Sequence, residues 1–316
     1  MSFVSALTTA IIPVLAIAGV GFVLGHYREV SVGPLSTVTI YILTPALVFS
    51  SLVKTPLGGS AIATLAVGVV AFTTVMVVLA ELAARAIGET GPLRSGLVLT
   101  SAFSNAGNYG IPLSAFAFGS IGRSTAVLYI AVQSVLMYTI GVYVASRGTS
   151  QHWSGAIAEV FKLPLLYAVV GAGLVRFFDA APPAGSTVME TITLTGDAAI
   201  PVMLIMLGIQ LANTNYGATI TRVWAPTVLK MGAAPVVAFG IALVLGFSDP
   251  VVGRVYVLES AMPAAITPLM LTIEYGGEGA GIDAAEYVST TIMVTTLVSI
   301  PVLAVLIGVL QSGALL

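Results

Sequence analysis

The chain has 316 residues, of which 58% are hydrophobic and 8% are charged. Soluble domains carry about 25% charged residues, so this composition argues against a soluble domain and indicates an integral membrane protein. The net charge of -2 offers no basic surface for nucleic acid. The absence of cysteine excludes disulfides and thiolate metal sites, and we expect no cofactor.

Charged residues, glycines and prolines divide the chain into ten apolar segments. A helix needs about 20 residues to cross about 30 Å of hydrocarbon, and the segments have that length. The first one lacks the charged start of a signal peptide and is too long for its apolar core, so we interpret it as a retained span. We therefore expect an all-α protein with ten transmembrane helices, near residues 3–25, 33–53, 60–83, 94–119, 124–146, 161–178, 188–212, 226–247, 251–275 and 285–310.

A single linker-like stretch, residues 147–160, separates five spans from five spans. An odd number of spans in each half means that the halves enter the membrane in opposite orientations, which is the inverted-repeat plan of many transporters. We expect residues 1–146 to form one repeat and residues 161–316 the other. Local matches at separations of 151, 156 and 159 residues support this division: Pro13 with Pro164, Pro45 with Pro201, and Leu99-Thr-Ser-Ala with Leu258-Glu-Ser-Ala.

The distribution of basic residues predicts the orientation, because loops on the inner side are enriched in Lys and Arg. With both termini outside, seven basic residues fall on the inner side: Arg28, Arg85, Arg94, Arg147, Lys162, Arg222 and Lys230. Four fall on the outer side: Lys54, Arg123, Arg176 and Arg254. We therefore expect a multi-pass protein of the cell membrane with both termini outside.

Spans four and nine each contain residues that break helices. The fourth holds Asn105, Gly107, Asn108, Gly110 and Pro112, and the ninth holds Pro263, Thr267 and Pro268. The bilayer core has no water to satisfy freed backbone groups, so such sequences are found only where they face protein or a polar cavity. Paired interruptions at corresponding places in two halves predict a transporter's binding site. The alternative is a kink in each of two continuous helices.

Four stretches, in order along nearly the whole chain, resemble the auxin efflux carrier family, which includes plant PIN-type exporters and prokaryotic malate or malonate carriers. The plant members' long cytosolic loop is absent. The stretches are Asn105 with Gly110-Ile-Pro112; Val132-Gln133 with Tyr138-Thr139; Leu207-Gly208-Ile-Gln210; and Met262-Pro263 with Ile273-Glu274-Tyr275 and Ile300-Pro301.

This resemblance implies a fold similar to that of the bile-acid symporters and NhaA, in which the fourth and ninth spans unwind at their prolines and cross. It implies that spans 1, 2, 6 and 7 form a scaffold and that spans 3–5 and 8–10 form a transport domain. It also favours Asn105 for direct contact with a carboxylate. A homodimer is left open, since Gly19, Gly21 and Gly25 give span one a small-residue face that suits either internal packing or a dimer contact.

Helix ends inside the membrane predict an anion site that needs no basic side chain. Each helix N-terminus carries a partial charge of about +0.5 and unpaired N–H groups, and no Lys or Arg falls clearly at the centre of a span. Asn108 has the alternative of capping freed backbone, and Gln133 that of bonding a neighbouring helix. The candidate substrate-binding residues are Asn105, Asn108, Pro112, Gln133, Pro263 and Thr267, with Gly107, Gly110 and Pro268 shaping the crossover.

Two acids are candidates for proton coupling. Glu259 lies one turn before the second break, and Asp197 lies four residues before Pro201. An acid at membrane depth is a functional hypothesis by default, because it could carry a proton between two states of a carrier. The alternatives are that Glu259 pairs with Arg254 or caps a backbone group, and that Asp197 lies at an interface with water.

The residues as a whole predict a secondary transporter that moves small organic anions across a lipid bilayer by alternating access. A proton- or sodium-coupled dicarboxylate symporter and a channel-like or non-transporting protein are the alternatives. Enzyme motifs are missing: the chain has no His-Glu-x-x-His, no Gly-x-Ser-x-Gly and no phosphate-binding Gly-Lys-Ser.

Overall fold

The computed structural model describes residues 10–28, 30–55, 57–147, 160–183, 185–213, 220–276 and 283–313. Within these ranges the chain is helical nearly throughout, and no strand longer than one isolated antiparallel bridge, between Ser104 and Ala264, is found. Residues 148–159 of the predicted linker lie outside the described ranges.

The helices follow one another with short connections. In chain order they are α1 (Ile12–Tyr27), α2 (Val32–Lys54), α3 (Gly59–Ala86), α4 (Gly91–Ala102), α5 (Ala106–Ala145), α6 (Pro164–Phe177), α7 (Thr187–Asn213), α8 (Trp224–Leu245), α9 (Pro250–Ser260), α10 (Thr267–Tyr275) and α11 (Ala284–Ser312).

Six of the described helices are long and apolar enough to cross a membrane: α2, α3, α5, α7, α8 and α11. Two more, α1 and α6, are shorter and apolar. The prediction of a helical, multi-pass membrane protein is confirmed at this level. The remaining helices, α4, α9 and α10, have 12, 11 and 9 residues, and a rise of about 1.5 Å per residue makes each too short to cross alone.

Glycine and proline divide the longer helices. Gly119 has φ +63° inside α5, a left-handed conformation that glycine adopts without steric penalty. It separates residues 106–118 from residues 120–145, close to the predicted boundary between spans four and five. The same preference places Gly91, at φ +57°, at the start of α4, where Pro92 follows in the first turn.

Helices α1 and α7 lie in unusually close contact. A Cβ added at Gly208 of α7 would overlap the carbonyl oxygen of Ala18, and one at Gly21 of α1 would overlap that of Ile205. Gly25 likewise faces Ile209, at 3.0 Å to its Cα, whereas Gly19 has no atom within 4 Å. The small-residue face of α1 therefore serves internal packing at Gly21 and Gly25.

Helix α2 packs against α6 and the first part of α7, so α1, α2, α6 and α7 are neighbours. Gly196 allows this approach, because an added Cβ would come within 2.7 Å of the Leu47 backbone. A second set of contacts links α3, α4, α5, α8, α9 and α11. Tyr129, Tyr256 and Phe72 are fully buried within this second set.

Candidate functional site at two joined helix breaks

The breaks between α4 and α5 and between α9 and α10 pair with each other. The Asn105 N–H donates to the carbonyl oxygen of Pro263 at 2.8 Å, and the Ala265 N–H donates to that of Phe103 at 3.0 Å. Residues 103–105 and 261–266, which we call the junction, thereby satisfy each other's freed backbone groups. All of them except Ile266 are buried. This pairing answers the requirement that backbone polar groups at membrane depth find partners inside the protein.

The prolines take different positions at the two breaks. Pro263 lies in the second break, and Pro268 is in the first turn of α10. Pro112, by contrast, lies beyond the first break and beyond a π-helical turn at Ala106–Gly110. The expectation that the first span unwinds at its proline is therefore wrong by several residues. The chain leaves the helix at Phe103, whose backbone is extended.

Gln133 supports the first break from inside α5. Its Nε2 donates to the Ser104 carbonyl oxygen at 2.8 Å, and its Oε1 accepts from the Ser104 N–H at 3.2 Å. The side chain is 1% exposed. Because the oxygen and the nitrogen of the amide are both bonded to the Ser104 backbone, these contacts favour a role for Gln133 in positioning the first break over a role as a donor to a ligand.

Lys230 on α8 brings a basic side chain to the junction. Its side chain is fully buried, and its Nζ donates to Ser104 Oγ at 2.6 Å and to the Ser260 carbonyl oxygen at 3.2 Å. The ammonium also lies 5.4 Å from the centre of the Phe72 ring. Lys230 thus contacts the first break and the end of α9 just before the second, and the expectation of a site without basic side chains is wrong.

Lys230 lies near the start of predicted span 226–247, a position typical of a loop residue. The structure places it inside α8, which begins at Trp224. The sequence holds one indication that Lys230 lies inside a helix of the membrane: its neighbours Val228, Leu229 and Met231 are apolar. Without Lys230, the orientation count falls to six basic residues against four, so the orientation of the termini stays a prediction.

Glu259 lies beside the junction and is also fully buried. Its Oε1 accepts a hydrogen bond from Ser114 Oγ at 2.5 Å, and its Oε2 has no hydrogen-bond partner. Gly110 makes room for the carboxyl group, since an added Cβ there would overlap Oε2. Glu259 does not pair with Arg254; it faces the helix that follows the first break.

The other residues predicted for the site differ in how far they are buried. Asn105 is 5% exposed, and its Nδ2 is buried without a hydrogen-bond partner. Asn108, Gly107 and Thr267 are half-buried, and Thr267 opens α10. A buried amide donor without a protein partner is uncommon, and it is available to donate to a ligand.

Asp197 does not belong to this site. It ends the first part of α7, its side chain is 51% exposed, and it forms an ion pair with Arg123 of α5 at 2.5 Å. Its role in proton coupling stays a prediction.

A cavity of about 610 Å³ opens beside the second break. Ile266, the residue before α10, forms part of its wall. Two acidic residues at the start of α11, Asp283 and Glu286, also line it. Asp283 accepts from the Ala285 N–H at 2.9 Å and so caps that helix. The polar residues that line the cavity are Gln210, Asn213, Asp283, Glu286 and Ser289.

Comparison with known proteins identifies the family. Residues 6–161 and 156–307 match the family described as membrane transport protein. An uncharacterized transporter of Methanothermobacter thermautotrophicus is 26% identical, over 95% of this chain and 98% of that protein. A protein of Rhizobium meliloti named "Putative malonate transporter" is 23% identical, over 90% of this chain and 89% of that protein.

An uncharacterized transporter of Methanocaldococcus jannaschii is also 23% identical, over 92% of this chain and 94% of that protein. These matches indicate a transporter and not an enzyme. They also confirm the resemblance noted in the sequence. The chain therefore belongs to the membrane transport protein family, which comprises the PIN-like auxin efflux carriers.

Proposed function

We propose that this protein is a secondary transporter that carries small organic anions by alternating access, with the anion's carboxylate bound at the junction. The observation that supports the proposal most is the buried ammonium of Lys230, which contacts Ser104 of one break and Ser260 of the other. When Lys230 is protonated, its ammonium adds a full positive charge where the backbone is interrupted.

The buried ammonium lacks a protein counter-ion. Neither of its hydrogen-bond partners is charged, and among the described residues no ion pair joins Lys230 to an acid. A lysine ammonium has three donors, and two are used. Isolated buried charges are costly, and charged residues inside membrane proteins mark substrate or ion pathways. A substrate carboxylate would supply the missing negative charge.

Asn105 supplies the second proposed contact. Its buried Nδ2 is an unpaired donor in the residue that follows Ser104, and Ser104 is itself bonded to Lys230. The N-terminal ends of α5 and α10, which start at the junction, add partial positive charge. Asn108 and Thr267 remain candidates for contact with the rest of the substrate.

The movement that we propose involves two groups of helices. We propose that α4 with residues 106–118, and α9 with α10, are two interrupted spans, which gives ten spans in two inverted halves. Helices α1, α2, α6 and α7 would form the scaffold, and the others would move with the junction. The close packing of α1 on α7 supports a rigid scaffold.

The substrate that we propose first is a small dicarboxylate, since one relative is named for malonate. The test is reconstitution into liposomes with labelled malonate, malate, succinate and acetate, compared with protein-free liposomes. We expect saturable uptake and counterflow, in which unlabelled substrate inside the vesicle accelerates entry of label. A folded, monodisperse protein that moves none of these acids contradicts the proposal, and non-saturable flux without counterflow favours a channel.

A further inference from the structure

The junction lies between two buried ionisable groups of opposite charge that do not pair with each other. Lys230 reaches it from α8, and Glu259 lies next to Ser260 on α9. Both side chains are fully buried, and no ion pair joins them. Each therefore depends on something other than its neighbour to balance its charge.

The surroundings of Glu259 hold few charges. Ser114 donates to its Oε1, while Oε2 lies against the backbone at Gly110 and has no hydrogen-bond partner. Tyr129 of α5 is hydrogen-bonded to Ser260 Oγ at 3.1 Å. The ionisable groups on the elements packed around α9 belong to five helices. They are Tyr109, Arg123, Tyr129, Tyr138 and Tyr143 of α5, Lys230 of α8, Glu81 and Arg85 near the end of α3, Glu286 and Tyr287 at the start of α11, and Arg254 and Tyr256 of α9 itself.

A carboxylate in this position has one hydrogen bond and no counter-ion. Burying an ionised carboxylate without a cation is strongly unfavourable, and such a group is instead neutralised by a proton. Lys230 is engaged with Ser104 and Ser260 and does not reach the carboxyl group. The free Oε2 is the atom that a proton would occupy.

We propose that Glu259 binds one proton for each anion that the transporter carries, so that the protein is a proton–anion symporter. With Glu259 protonated, the junction carries the single positive charge of Lys230 and attracts a carboxylate. With Glu259 ionised, its unpaired negative charge beside the junction repels the carboxylate, and anion binding weakens. This inference rests on the proposed function, because it assigns the coupling ion of the same site.

The proton balance of the cycle is simple. On one side of the membrane the carboxylate takes a proton from water at Oε2, which leaves hydroxide or buffer anion behind. The protonated junction, with its bound anion, then faces the other side. There the anion leaves and the carboxyl group returns its proton to water. No covalent bond to the substrate forms or breaks.

The test separates coupling from binding in liposomes whose membrane potential is clamped with potassium and valinomycin. Malonate uptake is measured with the interior one pH unit more alkaline than the outside, and counterflow is measured at equal pH. One proton per substrate supports up to about tenfold accumulation per pH unit. We expect the wild type to accumulate malonate under the gradient and Glu259→Gln to show none of this stimulation.

Two variants serve as controls. Glu259→Asp keeps a carboxyl group and is expected to keep part of the gradient response. Glu190→Gln changes an exposed acid at the start of α7 and is expected to match the wild type. A Glu259→Gln variant that shows counterflow and responds to the gradient like the wild type overturns the coupling proposal and leaves the proposed function standing. Absence of counterflow in folded wild type overturns the proposed function itself.

A second measurement on the wild type covers the case in which the Glu259 variants do not fold. A pH-sensitive dye inside the vesicles records proton entry when malonate is added outside at pH 8. That pH is far above ordinary carboxyl pKa values, so the substrate brings almost no proton of its own. Acidification of the interior together with malonate entry supports the proposal, and malonate entry without acidification overturns it.

Discussion

At the scale of single residues, the junction combines groups that bond each other with groups that remain unbonded. The Gln133 amide and the Ser104 backbone are joined by two hydrogen bonds. Asn105 Nδ2 and Glu259 Oε2 are buried and have no hydrogen-bond partner. Fully bonded groups position the chain, and the unbonded groups are the ones that we assign to ligand and proton.

Gln133→Leu tests this distinction for the bonded group. The substitution leaves the Ser104 N–H and carbonyl oxygen buried without their partner, at a cost of about 1–3 kcal/mol. We expect a clearly lower unfolding temperature in detergent and malonate affinity that falls much less than in Asn105→Ala. Thr191→Val, which removes an exposed hydroxyl on α7, is the control and should leave the unfolding temperature nearly unchanged. If Gln133→Leu is as stable as the wild type but no longer binds malonate, Gln133 is a substrate-binding residue instead.

Gly110→Ala tests the contact between the first break and Glu259. A Cβ at position 110 overlaps the Glu259 carboxyl group, which is held on its other side by Ser114. Gly107 is a matched control one turn earlier, because its nearest neighbour, Ile130 Cγ1, is 3.9 Å from an added Cβ. We expect Gly110→Ala to reduce malonate uptake at least tenfold and Gly107→Ala to retain most of it. Equal uptake by the two variants contradicts the geometry.

At the scale of helices, close helix packing and helix breaks occur in different parts of the molecule. The pair α1 and α7 achieves backbone contact through glycines, as membrane helices commonly do. Between α4 and α5, and between α9 and α10, backbone groups lack helical hydrogen bonds. They bond to each other across the junction instead. This contrast is the physical basis for treating the first pair as scaffold and the second as the moving site.

Gly208→Leu tests the scaffold contact. A side chain at position 208 meets the carbonyl oxygen of Ala18 and the backbone N of Phe22, and backbone cannot move aside as a flexible side chain can. We expect the variant to be poorly folded, which size-exclusion chromatography and thermal unfolding will report. Gly19→Leu adds the same side chain where no atom lies within 4 Å, and it should fold normally. Normal folding of both variants contradicts the proposed contact.

At the scale of the whole molecule, alternating access requires the junction to move against α1, α2, α6 and α7. The ion pair between Arg123 of α5 and Asp197 of α7 connects the two groups of helices in the present conformation. Lys54 of α2 and Thr193 of α7, by contrast, are bonded at 2.8 Å within the scaffold group. The chain contains no cysteine, so introduced thiols can be cross-linked without background.

Cross-linking at these two places tests the proposed movement. A short, reducible bifunctional thiol reagent applied to Arg123→Cys/Asp197→Cys should stop malonate counterflow, and reductant should restore it. The same reagent on Lys54→Cys/Thr193→Cys should leave counterflow unchanged, because both residues belong to the scaffold. Full transport by the first pair after verified cross-linking would show that the two groups do not move against each other.

Much of the fold was predictable because long apolar runs leave few alternatives in a membrane. The expected segments 33–53, 60–83 and 285–310 lie within α2, α3 and α11. The sequence also indicated both interruptions, the first by Asn105, Gly107 and Gly110 and the second by Pro263. The first break was misplaced toward Pro112, since proline is accepted in the early turns of a helix and need not be where a helix ends.

The charges of the site were harder to predict, since they depend on packing between distant segments. Lys230 near a predicted span end resembles a loop residue until α8 is placed against Ser104 and Ser260. Asp197 and Glu259 look alike in the sequence, yet one is half exposed beside Arg123 and the other is fully buried. The division into repeats, the orientation of the termini and a homodimer stay predictions.

The most direct test of the account is equilibrium binding of labelled malonate to purified wild type and Lys230→Met. Methionine retains the long apolar stem and removes the charge, so the variant is expected to fold. Lys54→Met is the control, since Lys54 is exposed and lies away from the junction. We expect Lys230→Met to bind malonate at least tenfold more weakly than the wild type and Lys54→Met to bind it equally well. Unchanged affinity in a folded Lys230→Met protein would contradict the assignment of the junction as the anion site.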